Sequence, residues 1–257
     1  MEQLAQVRIV AWQGGSLWLL NTAPPTAQRP PRTSFHSHHA VQIVISLGGQ
    51  FRLWLADQEL AGPYAAVAPD APHQFDAQGA YAILFVEPES QAGRAIIAAT
   101  FADADLRPLP ASTFAPLAAE LAALARAPAP SPAELTEIGR TLVEALANDR
   151  RHDPVDPRVQ KVIAWAARDH DDPIDLGAAA RLAGLSPSRL SHLFVEQTGL
   201  SFKTYLLWIR LTRAVGLMAE GLSLTAAAHG AGFSDSAHFS RTFRRMFGIA
   251  PANLTLI

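Results

Sequence analysis

The spacing of apolar residues changes its period near residue 89 of this 257-residue chain. Before that point apolar residues form short runs, and Phe51, Leu53 and Leu55 alternate with Arg52 and Trp54. Side chains of a strand alternate between two faces, so such runs predict short strands, and many short strands predict a sandwich or barrel. The predicted strands span residues 7–12, 16–20, 33–38, 41–47, 51–55, 65–68, 74–76 and 81–86.

From residue 90 onward apolar residues recur at helical spacing. The predicted helices span residues 91–101, 114–125, 131–148, 158–168, 176–183, 186–198, 202–220, 224–231 and 234–247. A short polar segment with two prolines, residues 150–157, predicts an interdomain linker. The pattern therefore predicts an α+β chain: a β-barrel over residues 1–88, a helical segment over residues 89–150, and an all-α domain over residues 151–257.

The all-α part repeats one plan, a helix followed by a glycine and a second helix, around Gly184 and again around Gly232. Ser186 is the predicted N-cap of the second helix in the first unit, and Ser234 is the predicted N-cap in the second unit. Gly248 follows as the predicted left-handed residue that ends the last helix. The long helix predicted over residues 202–220 joins the two units.

The last predicted helix has two contrasting faces. Its apolar stripe predicts burial and consists of Phe239, Phe243, Met246 and Phe247. Its opposite face is basic and consists of His238, Arg241, Arg244 and Arg245. A major groove admits an α-helix, and two recognition helices held on one linking helix would lie about 34 Å apart, one turn of DNA. The pattern indicates a DNA-binding domain with two recognition helices, although a solvated basic face would look the same on one helix alone.

Charge supports this interpretation once it is divided by region. The net charge is −2, but from residue 176 onward eight basic residues stand against three acidic ones, which is typical of a module that binds phosphate. The chain has no cysteine, which excludes disulfides and thiolate chemistry. It has neither a long apolar run nor a signal-peptide pattern, so we predict a soluble cytoplasmic protein without a membrane partner.

The helical domain resembles the DNA-binding domain of the AraC/XylS family of bacterial transcription regulators. The matching motifs are residues 185–194, 199–202, 210–214, 226–235, 238–243 and 247–251. After Pro251 the family usually carries an aromatic–Arg pair, whereas this chain has Asn253, Leu254 and Thr255. One phosphate contact of the family therefore has no counterpart in this segment.

The resemblance implies a homodimeric protein that binds promoter DNA, and RNA polymerase as well if it is an activator. The predicted base-contacting residues are Ser188, Ser191, His192, Ser236, Ala237, Ser240 and Arg241. The predicted phosphate-contacting residues are Arg189, Lys203, Arg210 and Arg244. Arg241 is the strongest candidate, because arginine paired with guanine is the commonest specific contact. For the apolar stripe of helix 131–148 we favour a dimer contact over packing on the barrel.

Histidines are concentrated in the N-terminal part. In a strand His36 and His38 point to one side, and Gln42 and His73 follow. This layout resembles the cupin barrel that AraC-type regulators use to bind effectors, and in metal-binding cupins these four positions hold the ion. Gln42 replaces the usual carboxylate, and neutral amides are poor ligands for transition metals. The histidines are therefore predicted to contact a small-molecule effector, with Zn²⁺ or Fe²⁺ as a further possibility.

Together these features predict a regulator, not an enzyme, whose barrel senses a small molecule and whose paired helix-turn-helix units bind a promoter. One alternative is a metal-dependent cupin enzyme, or a metal sensor, fused to a DNA-binding domain. Another is a constitutive DNA-binding protein whose barrel serves only as a dimerisation scaffold. Neither Gly-rich stretch has a phosphate-cradling spacing, and no Ser-His-Asp set is recognisable.

Overall fold

The computed structural model describes residues 5–22, 32–127, 130–147, 154–168 and 174–257. Strands dominate the first part of the chain and helices the remainder, as the apolar periods predict. The strands are β1 Ala5–Trp12, β2 Gly15–Thr22, β3 Val41–Ser46, β4 Gln50–Leu55, β5 Gln58–Ala61, β6 Tyr64–Val67, β7 Gln74–Val86, β8 Leu106–Pro108 and β9 Leu254–Leu256. The predicted α+β fold is confirmed.

The strands form one bent sheet in the order β8-β6-β3-β7-β2-β1-β9. The long strand β7 is central, because its first half pairs with β4 and its second half pairs with β2 and β3. Strand β5 pairs with β4, so β4 and β5 form a second layer over the main sheet. Gly79, in the middle of β7, has φ +77°, which favours glycine where the strand changes partners.

Several strand predictions need correction. Residues 33–38 form no strand and contribute only a single bridge, between His36 and His73. The strands predicted at 74–76 and 81–86 are one strand, because the backbone continues through Gly79 with pairing on both sides. Strands β5, β8 and β9 are absent from the prediction. The first hairpin is confirmed, with Trp12 opposite Gly15 across a two-residue turn.

The helices are α1 Gln91–Thr100, α2 Ala111–Arg126, α3 Pro132–Ala147, α4 Pro157–Ala166, α5 Leu176–Ala183, α6 Pro187–Thr198, α7 Phe202–Ala219, α8 Leu224–Gly230 and α9 Ser236–Phe247. A short 3-10 helix, Pro251–Asn253, follows α9. None of the described helices is long and apolar enough to cross a membrane. Much of the predicted linker, residues 150–153, lies outside the described residues.

Capping side chains fix where the recognition helices begin. Ser186 caps α6 as predicted, since its hydroxyl accepts from the backbone N–H of Arg189 at 3.3 Å. The cap of α9 is Asp235, whose carboxylate accepts from the N–H of His238 at 2.6 Å. The predicted cap Ser234 is therefore wrong by one position, and its hydroxyl donates to Asp235 instead. Gly248 ends α9 with φ +72°, as predicted.

The main sheet is apolar on both faces. In β2, Leu17 and Leu19 face helices α1 to α3, while Trp18 and Leu20 face the interior between the layers. The apolar stripe of α3 packs on this outer face, where Leu142 is fully buried. The prediction that this stripe forms a dimer contact is therefore wrong, because the chain's own sheet already covers it.

The interior core continues into the helical part. Phe247 from the end of α9 packs against Trp18 and Phe85 of the sheet, with ring centroids 5.2 and 5.5 Å apart, respectively. Trp208 of α7 joins the same cluster, and a separate core around Phe194 holds α4 to α7 together. The barrel and the second helix-turn-helix unit thus share one continuous apolar core.

Candidate nucleic-acid interface and small-molecule pocket

Helix α6 presents a polar face to solvent. Leu190 and Phe194 are fully buried against the neighbouring helices, which turns the opposite face outward. Ser188 and His192 are exposed and Ser191 is half-buried, and the His192 ring donates to the carbonyl of Ser188 through Nδ1 at 2.8 Å. The three residues predicted to contact bases in the first unit therefore share one accessible face.

Helix α9 repeats this arrangement. Phe239 and Phe243 are buried, whereas Ala237 and Arg241 are exposed. Ser236 and Ser240 are half-buried on the same face, and the Ser240 hydroxyl donates to the Ser236 carbonyl at 2.8 Å. The exposed guanidinium of Arg241 is accessible to an incoming ligand.

The residues predicted to contact phosphate lie in different surroundings. Arg189 and Lys203 are exposed. Arg210 is half-buried and lies beside Gly232. Arg244 is exposed, but it lines a pocket on the barrel side of α9.

The predicted histidine cluster forms despite the missing strand. His36, His38 and His73 are all buried, and one ring nitrogen from each lies within 4.8 Å of the others. Gln42 joins them, since its Oε1 lies 2.9 Å from Nε2 of His38 and 3.3 Å from Nε2 of His73. Strand β3 supplies Gln42, while the His36–His73 bridge brings the two segments on either side together.

Backbone carbonyls fix the orientation of two of these rings. Nδ1 of His36 lies 2.9 Å from the carbonyl of Ser34, and Nδ1 of His73 lies 2.9 Å from that of Ala71. A carbonyl only accepts, so each Nδ1 carries the proton and each Nε2 keeps a lone pair. The lone pair of His73 then faces the carboxamide group of Gln42.

The rings are neutral near pH 7. Burial, and then the neighbouring His38, lowers the pKa of His36 to about 4. Burial also lowers the pKa of His38, although the hydrogen bond that its Nε2 donates to Oε1 of Gln42 opposes this. Burial, followed by repulsion from both other rings, lowers the pKa of His73 to about 2. Neutral imidazole is the form that ligates metals.

A cavity of about 860 Å³ opens next to this cluster, between the barrel and the end of α9. Its barrel wall is largely apolar and includes Trp18, Phe75 and Phe85, with His36 and Gln42 at one side. The remainder of the wall comes from the helical part and consists of Arg244, Phe247, Gly248, Ile249, Ala250, Asn253 and Leu254. The pocket is therefore formed jointly by both parts of the chain.

A second polar cluster, which the sequence pattern does not predict, joins the barrel to α7. His39 lies 3.1 Å from Glu89 and 3.4 Å from Asp70; burial opposes its charge, but these two carboxylates raise its pKa to about 9. Tyr205 and Trp208 of α7 pack edge-on against the His39 ring. The histidine is visible in the sequence, but its partners come from segments that no local pattern connects.

Comparison with known proteins identifies the helical part. Residues 179–255 match the model of a helix-turn-helix domain family. The regulator GlxA of Rhizobium meliloti is 43% identical over 83 residues, which cover 32% of this chain and 26% of GlxA. The arabinose operon regulatory protein of Escherichia coli is 33% identical over 108 residues, covering 41% of this chain and 37% of that protein. The chain thus spans well under half the length of these relatives.

Among solved structures, ToxT from Vibrio cholerae O395 matches almost the whole chain. The match covers 98% of this chain and 96% of ToxT, with a TM-score of 0.57 and 12% identity, so it concerns the fold. The sequence motifs, the matched domain and the two-part fold agree. The C-terminal part of the chain is thus a helix-turn-helix domain similar to those of the AraC-type regulators.

Proposed function

We propose that the protein is a sequence-specific transcription regulator that binds promoter DNA through α6 and α9. The observation that carries this proposal is the repeated accessible polar face on these two helices, within a domain whose relatives are transcription regulators. Recognition helices use such faces to reach base edges in adjacent major grooves. Dimerisation, contact with RNA polymerase in the case of an activator, and a cytoplasmic location belong to the same proposal.

The test begins with duplexes selected by the protein from a random library. We expect Arg241→Ala to lose about 1–3 kcal/mol more binding free energy on the selected duplex than on a scrambled one, because guanine recognition is sequence-specific. Arg245→Ala is the matched control, since it removes an exposed charge from the same helix. Equal losses of Arg241→Ala on both duplexes would contradict a base contact, and failure to enrich any sequence would contradict the function.

We further propose that the shared pocket binds the effector, and that the effector is an amphipathic carboxylic acid. The support is a largely apolar wall that also includes two arginines, Arg32 and Arg244, in a volume typical of ligand sites. ToxT has been solved with an unsaturated fatty acid and with a naphthalenyl butenoic acid. We expect cis-9-octadecenoate to raise the melting temperature and the corresponding alcohol to raise it less. If Arg244→Ala abolishes the difference in melting temperature between the acid and the alcohol, the result supports a carboxylic acid as the effector. If that difference persists in Arg244→Ala, the result opposes it.

The histidine cluster supports a third proposal, that His36, His38 and His73 hold Zn²⁺ or Fe²⁺ with the oxygen of Gln42 nearby. Its support is the set of neutral rings, two with Nδ1 tied to a carbonyl, which suits three-histidine metal sites. When bound, the ion would supply an electrophilic centre next to the pocket. The carbonyls of Ser34 and Ala71 orient Nε2 of His36 and of His73, while Nδ1 of His38 is the nitrogen of that ring without a hydrogen-bond partner among the described residues.

Metal analysis of tag-free protein tests this proposal. We expect near-stoichiometric metal in the wild type and none in a His38→Ala, His73→Ala variant, with His192→Ala as an exposed control. Absence of metal in the wild type would leave the rings as polar groups of an organic-ligand pocket. The regulators matched by the helical domain favour a sensor over a metal-dependent enzyme. Ligand-dependent melting separates a sensor from a constitutive DNA-binding protein.

A further inference from the structure

Strand β9 belongs to the sheet of the barrel, although it follows the DNA-binding helices in sequence. Leu254, Thr255 and Leu256 pair in parallel with Ala5, Gln6 and Val7 of β1. The backbone N–H of Ile257 donates to the carbonyl of Val7 at 3.1 Å. Leu254 and Leu256 are half-buried and pack on the interior core. The segment is therefore an added edge strand, held by backbone hydrogen bonds and two leucines.

Little chain separates this strand from the second recognition helix. Only residues 248–253 lie between α9 and β9, and part of them forms the 3-10 helix. The carbonyl of Gly248 also accepts from the backbone N–H and from the hydroxyl of Ser34, each at 3.0 Å. The end of α9 is thus tied to the barrel at successive points, by the Phe247 ring, by the carbonyl of Gly248 and by β9.

The docked arrangement keeps one basic residue of α9 at the barrel. Arg244 lines the pocket together with Ile249, Asn253 and Leu254, so its side chain lies beside the barrel wall. A pair of recognition helices must match the spacing of two adjacent major grooves. A second unit held by the barrel is less free to adjust to that spacing than one that is released.

The pairing is also weak enough to reverse. It involves three residues at the edge of the sheet, and both leucines remain partly exposed. The hydroxyl of Thr255 is buried without a hydrogen-bond partner among the described residues, which opposes docking. Few buried contacts and a short edge pairing are features of segments that open locally.

We propose that the pairing of β9 with β1 is an autoinhibitory clamp, which reinforces the contact that Phe247 of α9 makes with the barrel and lowers the affinity for DNA until the pairing is released. The proposal rests on the proposed regulator function. It assigns to residues 254–256 a regulatory role that is separate from the base-contacting residues. Because α9 and β9 both line the pocket, occupation of the pocket by the effector is the event that shifts this clamp.

A reversible cross-link tests the clamp, because the chain contains no cysteine of its own. Gln6 and Thr255 are register partners, so Gln6→Cys with Thr255→Cys places one disulfide across the pairing. Affinity is measured for a duplex selected by the wild type, with the double variant oxidised and then reduced. We expect the oxidised form to bind about tenfold more weakly than the reduced form, within the usual range of coupling between sites.

Each single-cysteine variant under both redox conditions is the control, and neither should change affinity on oxidation. Removal of residues 254–257 is the complementary change, and we expect it to bind at least as tightly as the reduced double variant. Equal affinities of the oxidised and reduced forms, tighter binding when oxidised, or no cross-link at all would each overturn the clamp. If the wild type selects no duplex, the regulator function itself fails, which is a different result.

Discussion

Gly248 is required both by its backbone conformation and by the close approach of its neighbours. Its φ of +72° lies in the left-handed region, where residues with a Cβ are disfavoured. A Cβ at this position would also lie 2.6 Å from Nδ1 of His36 and 2.7 Å from the carbonyl oxygen of Ser34. The C-cap of α9 therefore touches the histidine-bearing segment directly. Gly184, the C-cap of α5, has a similar φ of +67°, but a Cβ there would meet no described atom within 4 Å.

Comparing Gly184 with Gly248 separates the cost of the left-handed conformation from the cost of steric overlap. We expect Gly184→Ala to lower the free energy of unfolding by about 1–2 kcal/mol, the cost of a left-handed residue with a Cβ. Gly248→Ala should lower it by about 2–5 kcal/mol, because the added methyl also overlaps its neighbours. Urea unfolding of both variants measures the difference. Equal losses would show that the barrel segment moves aside without cost.

Individual site residues can be predicted from the sequence when a local sequence pattern marks them. The spacing of the histidines identifies them, and the structure brings the rings of His36, His38 and His73 together. The buried partners Glu89 and Tyr205 escape prediction, because each looks like an ordinary surface or core residue until the fold brings them together. The capping error at Ser234 has a simple cause, since two adjacent residues both suit an N-cap.

Among the helices and strands, α3 shows that an amphipathic stripe predicts a buried face but not the surface that covers it. The stripe correctly predicts a buried face, and Leu135, Ile138 and Leu142 are at most 4% exposed. It does not say which surface covers that face. A helix has the same apolar periodicity whether a partner subunit or the chain's own sheet covers its apolar face. Only the three-dimensional structure distinguishes these two cases.

This difference has a measurable consequence. We expect Leu142→Ala to lower the free energy of unfolding by about 2–5 kcal/mol, because it leaves a cavity between α3 and the sheet. The oligomeric state, measured by analytical ultracentrifugation, should not change. Glu144→Ala, on the exposed side of α3, is the control for helix content. Dissociation of an oligomer by Leu142→Ala would restore the dimer contact.

Strands are predicted less completely than helices, for a physical reason. The helices carry caps and long periodic stripes that a single segment displays by itself. Strand β9 has three residues, and its stability comes from β1, which lies at the other end of the described chain. The pattern divides strand β7 at Gly79 because a glycine usually marks a turn, whereas here it marks an exchange of partners.

For the whole molecule, the continuous core makes the two parts one cooperative unit. Phe247 is the residue that extends the interior of the barrel into α9, through contacts with Trp18 and Phe85. Domains that share a large apolar interface unfold together, because neither part retains its core without the other. The structure therefore predicts a single calorimetric transition for the wild type.

Phe247→Ala tests that cooperativity. We expect it to lower the free energy of unfolding by about 3–5 kcal/mol and to divide the transition into two, since it removes the shared ring. Phe114→Ala, a fully buried ring on the outer face of the sheet, should lower stability while the transition stays single. A single transition in Phe247→Ala would mean that the remaining shared core, including Trp208, and the polar cluster around His39 suffice to couple the two parts.

The pairing of β9 with β1 has a consequence for biosynthesis. Arg8 and Ile257, which share a hydrogen bond, are 249 positions apart, so this edge of the sheet cannot be completed while the ribosome still holds residues 254–257. During translation the barrel must fold with β1 as an open edge, and closure of so long a loop comes late. The pairing of β9 with β1 is therefore among the last contacts of the barrel to form in a newly made molecule.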